Sequence, residues 1–129
     1  MATAKKFEDL DVWIKAKDIS VVIYKVTNEG EFKKDFGLRD QIRRACISIV
    51  SNIAEGFERN GNKEFNQFLS LAKGSAGEVR AQLYIARELD YINEKEFDSL
   101  IKSVTEVSKM LSGLMNYLKT TELKGTKYN

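Results

Sequence analysis

The sequence predicts an all-α protein, an antiparallel up-down-up-down four-helix bundle forming one domain over residues 1–129. Three observations predict it. None of the 129 residues is proline, the residue that fixes φ and breaks helix interiors, so long uninterrupted helices are permitted everywhere. Apolar residues recur at spacings of three and four in four separate segments, the repeat of one buried helical face. The breaks between those segments are short and carry Asn, Asp and Gly, which start and stop helices. A chain of this length buries one core and not two.

The first helix is predicted over 9–27, where Leu10, Trp13, Ala16, Ile19, Ile23 and Val26 form the apolar stripe. Asn28-Glu29-Gly30 stops it, with glycine available for a left-handed cap. A connection to Phe36 follows, and Asp35 is placed to cap the next helix. That second helix is predicted over 37–59. Its core stripe is Ile42, Cys46, Ile49, Val50, Ile53 and Phe57, and opposite stand Gln41, Arg44, Ser48, Ser51, Asn52, Glu55 and Arg59. A solvated helix face usually carries Lys and Glu, which favour helix and stay hydrated. Short Ser and Asn are weaker helix formers, and their small size suits close approach by another surface.

Asn60-Gly61 ends the second helix, and Asn62 is the expected N-cap of a third over 62–89. Its core stripe runs through Phe65, Phe68, Leu69, Ala72, Ala76, Val79, Leu83 and Ala86. A second stripe holds Leu71, Gly74, Ser75, Glu78, Gln82, Ile85 and Leu89, so this helix is expected to be covered on more than one side. Gly74 and Gly77 each cost about 1 kcal/mol against alanine inside a helix, an expense most easily explained where backbones pass closely. Asn93 with Glu96 three residues later makes a near capping box for a fourth helix over 93–121. Phe97, Leu100, Ile101, Val104, Val107, Leu111, Leu114 and Leu118 form a seam close to a heptad repeat. The tail over 123–129 is polar and basic and is expected to fray.

A monomeric bundle needs one apolar stripe per helix. The second and third helices each offer a further patterned face, which predicts a homo-oligomer using both.

Composition excludes several classes of chemistry. With one cysteine and no histidine, an internal disulfide is impossible, and zinc, haem and copper sites lose their usual ligands. Ser-His and Cys-His catalysis goes with them, and carboxylate-bridged di-iron bundles also need histidine. No cofactor and no metal are expected. Cys46 lies within the core stripe and reads as a small buried hydrophobe rather than a reactive thiol. The glycines fall in no phosphate-binding loop pattern. No stretch reaches the roughly 18 apolar residues of a membrane span, and Met1 to Lys6 lacks the pattern of a secretory signal. A soluble, cytoplasmic protein with no membrane partner is expected. The net charge of +2 is too small to argue nucleic-acid binding from the total.

In the second helix, Phe36-Gly37-Leu38, Gln41-Ile42-Arg43-Arg44-Ala45, Ser48-Ile49, Ser51-Asn52-Ile53-Ala54-Glu55-Gly56 and Arg59 resemble the signature of the 23S rRNA intervening-sequence protein family. Phe7, Leu10, Val12, Trp13 and Ala16 are similar to the family's opening helix. Phe65, Phe68, Leu69, Ala72, Gly74, Ser75 and Glu78 resemble its third, and Leu89-Asp90-Tyr91-Ile92 the turn before its fourth. The resemblance spans roughly residues 7 to 118. Two departures stand out: Val50 occupies the family's usual proline position, so a straighter second helix is expected, and Ala76-Gly77 replaces a bulkier pair. The resemblance implies a small bacterial four-helix-bundle protein, without enzymatic activity, whose biochemical role is largely undefined. Family members are encoded within intervening sequences of 23S rRNA genes or elsewhere in genomes. A related branch, the accessory protein of diversity-generating retroelements, forms a pentameric ring and associates with nucleic acid and a reverse transcriptase. A pentamer is expected here on that resemblance alone.

Two functional readings follow. In the first, the protein is an RNA-associated or other nucleic-acid-associated scaffold. Lys33, Lys34, Arg39, Arg43 and Arg44, five cations within twelve residues, would contact phosphates. In the second, it is a protein-interaction or self-assembly module. Its polar residues Gln41, Ser48, Ser51, Asn52, Glu55, Arg59, Gly74, Glu78 and Gln82 then serve subunit contacts or internal structure. Glu55 and Arg59 are spaced to pair within one turn. Arg44 and Glu55 stand about 16 Å apart along one helix and could meet only across a subunit boundary.

Overall fold

The structure, a computed structural model, describes residues 4–121. A 3-10 turn at Phe7–Asp9 leads into α1 (Asp11–Val26), followed by the short α2 (Gly30–Lys34), α3 (Phe36–Glu58), α4 (Asn62–Glu88) and α5 (Glu94–Thr120). The long helices α1, α3, α4 and α5 are the four predicted from periodicity, each within two residues of its expected ends. The expected frayed tail lies outside the described residues.

The long helices close a ring of contacts, α1 on α3, α3 on α4, α4 on α5 and α5 back on α1. Their senses can be read from paired residues. Ser20 and Arg43 of successive helices reach Cys46 and Thr27 respectively. Phe57 meets Phe65 while Ser48 meets Ser75. Tyr84 meets Phe97 while Asn62 meets Leu118. In each pair, residues rising in number along one helix meet residues falling along its neighbour, so neighbouring helices run in opposite directions. The core is the predicted set of stripes: Ile42, Cys46, Ile53, Leu69, Ala72, Ala76, Val79, Leu83, Val104, Val107 and Leu111 have no exposed surface. Burying each large aliphatic among them contributes roughly 1.5–3 kcal/mol. No helix among the described residues is long and apolar enough to cross a membrane.

Four details differ from expectation. Trp13, Val26, Val50, Phe68 and Ile101 are half-buried, while Val12, Ala45 and Gly56 are buried. Each half-buried position lies at the edge of its stripe, where helix–helix packing decides the last few degrees. The connection after α1 holds α2, whose single apolar anchor Phe32 is 1% exposed and stacks on Tyr91 at 5.1 Å. Five residues are too few for periodicity to reveal such a helix. Asn62 is not the cap of α4: Gly61 takes that position. The Asn62 amide instead donates to the carbonyls of Leu118 and Thr121 at 3.2 and 2.6 Å, satisfying the end of α5. Finally, among the described residues an added Cβ at Gly74 or Gly77 would meet nothing within 4 Å, so no helix of the same copy passes close to either. The close pass is at Gly56, where a Cβ would stand 2.7 Å from Cβ of Phe68.

The expected caps at Asp35 and Asn93 are present. Leu38 N–H donates to Asp35 at 3.1 Å, and Asn93 with Glu96 forms a full capping box. Gly30 reverses the chain at φ 55°, a region favouring glycine. Asp90, at φ 58°, closes α4 while Tyr91 N–H reaches the Ala86 carbonyl at 2.9 Å. α3 runs unbroken through Val50.

Candidate interaction surface on α3 and α4

The cations expected to act together are split by the geometry of α3. Successive residues of a helix project about 100° apart, so Arg43 faces α1 and Arg44 faces α4. Arg43 donates through Nε to Thr27 Oγ1 at 2.8 Å and through Nη2 to the Tyr24 carbonyl at 3.3 Å. Its guanidinium lies over the Tyr24 ring at 4.6 Å. A cation satisfying the last carbonyls of α1 is favoured by the helix dipole, which explains its place near the start of α3. Arg39 pairs with Asp40 at 2.9 Å, donates to the Lys33 carbonyl at 3.1 Å and stacks on Phe36 at 4.8 Å. Lys34 pairs with Glu31 at 3.2 Å. Lys33 is exposed.

The polar residues of the two extra stripes are brought together. α3 and α4 lie side by side, so Gln41, Arg44 and Ser48 of one line a hollow of about 260 Å³ with Glu78 of the other. The Ser75 hydroxyl donates to Ser48 Oγ at 2.8 Å, and Asn52 Nδ2 donates to the same oxygen at 3.0 Å and to the Ser48 carbonyl at 2.8 Å. Ser48 and Asn52 therefore tie α3 to itself and to α4. Ser51 and Gly74 are exposed and small. Gln82 is 8% exposed, and its Oε1 receives no donor among the described residues. Glu55 and Arg59 pair at 2.9 Å, as their spacing predicts. Arg59 also reaches Glu64 at 3.6 Å and covers the Phe68 ring at 5.2 Å, which closes that end of the seam. Beside the hollow, Leu71 and Ile85 are 59% and 50% exposed. With Glu78 they form a row at seven-residue spacing along α4.

Two groups went unnoticed in the sequence. Tyr91 O–H donates to Asp35 Oδ2 at 2.9 Å, pinning the α4–α5 turn to the start of α3. The Leu38 amide and then this hydroxyl hold the Asp35 carboxyl below its ordinary value, and the carboxylate in turn raises the tyrosine. The two residues stand 56 apart, so no local pattern could join them. Ser75 lay in the second stripe of α4, but its partner Ser48 became visible only once the helices were in register.

Burial pushes the Cys46 thiol up to about 12, only partly offset by the Ser20 hydroxyl. It is a thiol and not a thiolate near neutral pH, and it is fully enclosed. Among the described residues, no three His, Cys, Asp or Glu side chains are grouped to hold a metal ion.

The description of the 23S rRNA-intervening sequence protein family matches residues 8–113. A crystal structure at 1.70 Å resolution of a protein of unknown function from the S23 ribosomal protein family of Bacteroides thetaiotaomicron VPI-5482 superposes with a TM-score of 0.74 and 27% identity, covering 81% of this chain and 97% of that one. No curated protein matches.

Proposed function

The chain belongs to the 23S rRNA-intervening sequence protein family, and from that premise we propose that it is a non-catalytic helical scaffold whose copies associate through the α3–α4 face. The observation that carries this reading is the gathering of Gln41, Arg44, Ser48 and Glu78 around one hollow beside the exposed Leu71 and Ile85. Two exposed aliphatics beside small polar residues and a few charges fit the composition of a protein–protein contact better than that of a solvated face. The absence of a catalytic role is supported by the enclosed, protonated Cys46 and by a chain without histidine. Sedimentation velocity from micromolar to sub-millimolar concentration tests the reading. A mass that is a multiple of 14.7 kDa is expected, and its value gives the subunit number, five on the family resemblance. A monomer at every concentration overturns it.

A second reading is nucleic-acid association. It is favoured by one observation: Lys25 and Arg43 share a hollow of about 550 Å³ with Ser20, Tyr24 and Asn28. Against it, Lys34, Arg39 and Arg43 already hold partners in the chain. Fluorescence anisotropy with a structured RNA across a salt series decides it. Binding that weakens steeply with salt and is abolished by reversing Lys25 and Lys33 to glutamate supports phosphate contact. No binding at low salt retires it.

A further inference from the structure

The hollow between α3 and α4 carries one cation and one anion that the chain does not use on each other. Arg44 and Glu78 both line it and both are exposed. Among the described residues neither makes an ion pair, although Lys15, Lys17, Lys34, Arg39, Arg59 and Arg87 all do. Arg44 stands in the third turn of α3, beyond the first turn to which the helix dipole is confined, so the dipole neither favours nor opposes it. The partner that serves Arg43, the C-terminal end of α1, lies on the opposite flank of α3 and does not serve Arg44.

We propose that Arg44 of one copy pairs with Glu78 of the neighbouring copy, and that this pair sets the register of self-association. The inference rests on the proposed self-associating function and names the contact that guides it. A second copy is the occupant that fits the charge: Arg44 on the α3 side of the surface and Glu78 on its α4 side each find their complement on a neighbouring copy, head to tail, as a ring requires. The net charge of +2 on the chain opposes such association only weakly. The surroundings allow close approach. Ala45 and Ser48 floor the hollow, Gly74 lies one turn from Glu78 with open space above it, and Leu71 and Ile85 flank Glu78 on either side. An ion pair enclosed by apolar side chains is less screened than one in open solvent, so its sign matters more.

The test uses the full chain in three forms: Arg44→Glu, Glu78→Arg and the two together. Each single substitution places like charges opposite one another across the contact and is expected to raise the dissociation constant of the assembly roughly a hundredfold. The double substitution reverses the pair and is expected to bring it back to within about tenfold of the parent. Both positions are exposed, so helical content, read on the same samples, is expected to stay unchanged, and any fall in melting temperature is expected to track the loss of assembly and to be regained in the double form. Singles that assemble like the parent, or a double no better than the singles, overturn the pairing while leaving self-association standing. A parent chain that is monomeric throughout removes the underlying reading, and the pairing with it.

Discussion

The contact between α3 and α4 is built differently at its two ends. Where α3 finishes, Gly56 lets the helices approach so closely that a single methyl would stand 2.7 Å from Phe68 and 2.9 Å from the Phe65 ring. Phe57 packs edge-on against Phe65 at 5.9 Å, and the Arg59 side chain lies across Phe68. Toward the middle, the two helices are joined by the Ser48–Ser75 hydrogen bond, and outward of it lie the hollow and Gly74, with nothing near. One end is a closed aromatic junction and the other an open polar seam. Two glycines with the same cost in helix propensity therefore answer different demands. Gly56 is required by the chain's own packing, and Gly74 is not.

Three measurements sharpen that contrast. The largest effect is expected from Phe65→Ala, which empties the closed end of a fully buried ring. A loss of about 3–5 kcal/mol in chemical denaturation is expected, and a loss below about 1 kcal/mol would show that the aromatic junction is not what holds the helices together. Next come the glycines, measured as a pair. Gly56→Ala is expected to destabilise by about 1–3 kcal/mol, because the obstructing atoms are the Phe68 Cβ and the Phe65 ring rather than a flexible tip. Gly74→Ala is expected to stabilise the fold by up to about 1 kcal/mol through helix propensity alone. Equal effects at both sites would erase the distinction between the two ends. If Gly74→Ala stabilises the fold yet weakens self-association, the open seam is an occupied surface in the assembly.

The smallest effect concerns the start of α3, far from the aromatic junction. The Asp35 carboxyl is held below its ordinary value, first by the Leu38 amide and then by the Tyr91 hydroxyl. A carboxyl whose folded value is depressed contributes stability above its unfolded value, near pH 4, and loses it as pH falls through the folded value. Asp35→Asn is therefore expected to lower stability near neutral pH and to flatten the acid limb of the stability curve below about pH 4. An unchanged acid limb would place that dependence elsewhere, for instance at Glu106, which Lys15 holds below its ordinary value at 2.9 Å.

The elements that were legible in the sequence share a local cause. The four long helices follow from periodicity and from the absence of proline, and the caps at Asp35 and Asn93 follow from residues three positions away. The misreadings also share a cause. Asn62 has a good cap residue's chemistry, but its amide is taken by carbonyls 56 and 59 residues away. Among the described residues Gly74 has no close neighbour within its own copy: propensity records the cost of a glycine and not which surface explains it. Arg43 and Arg44, adjacent in sequence, look like one patch until the helix turns them to different neighbours. The pairing of Glu55 with Arg59 could be anticipated, because four residues is one turn.

Each long helix carries within its own turns its stripe, its approximate length and, for α3 and α5, its starting cap, and these are legible in the sequence together with the small polar face of α3. What those faces meet is set by the packing of one helix on another. That packing places Ser48 on Ser75, Asp35 on Tyr91, and Arg44 beside Glu78 around one hollow. The physical reason is range. Backbone hydrogen bonds and side-chain spacing act over three or four residues. Which stripe of one helix lies against which stripe of the next depends on the packing of the whole core.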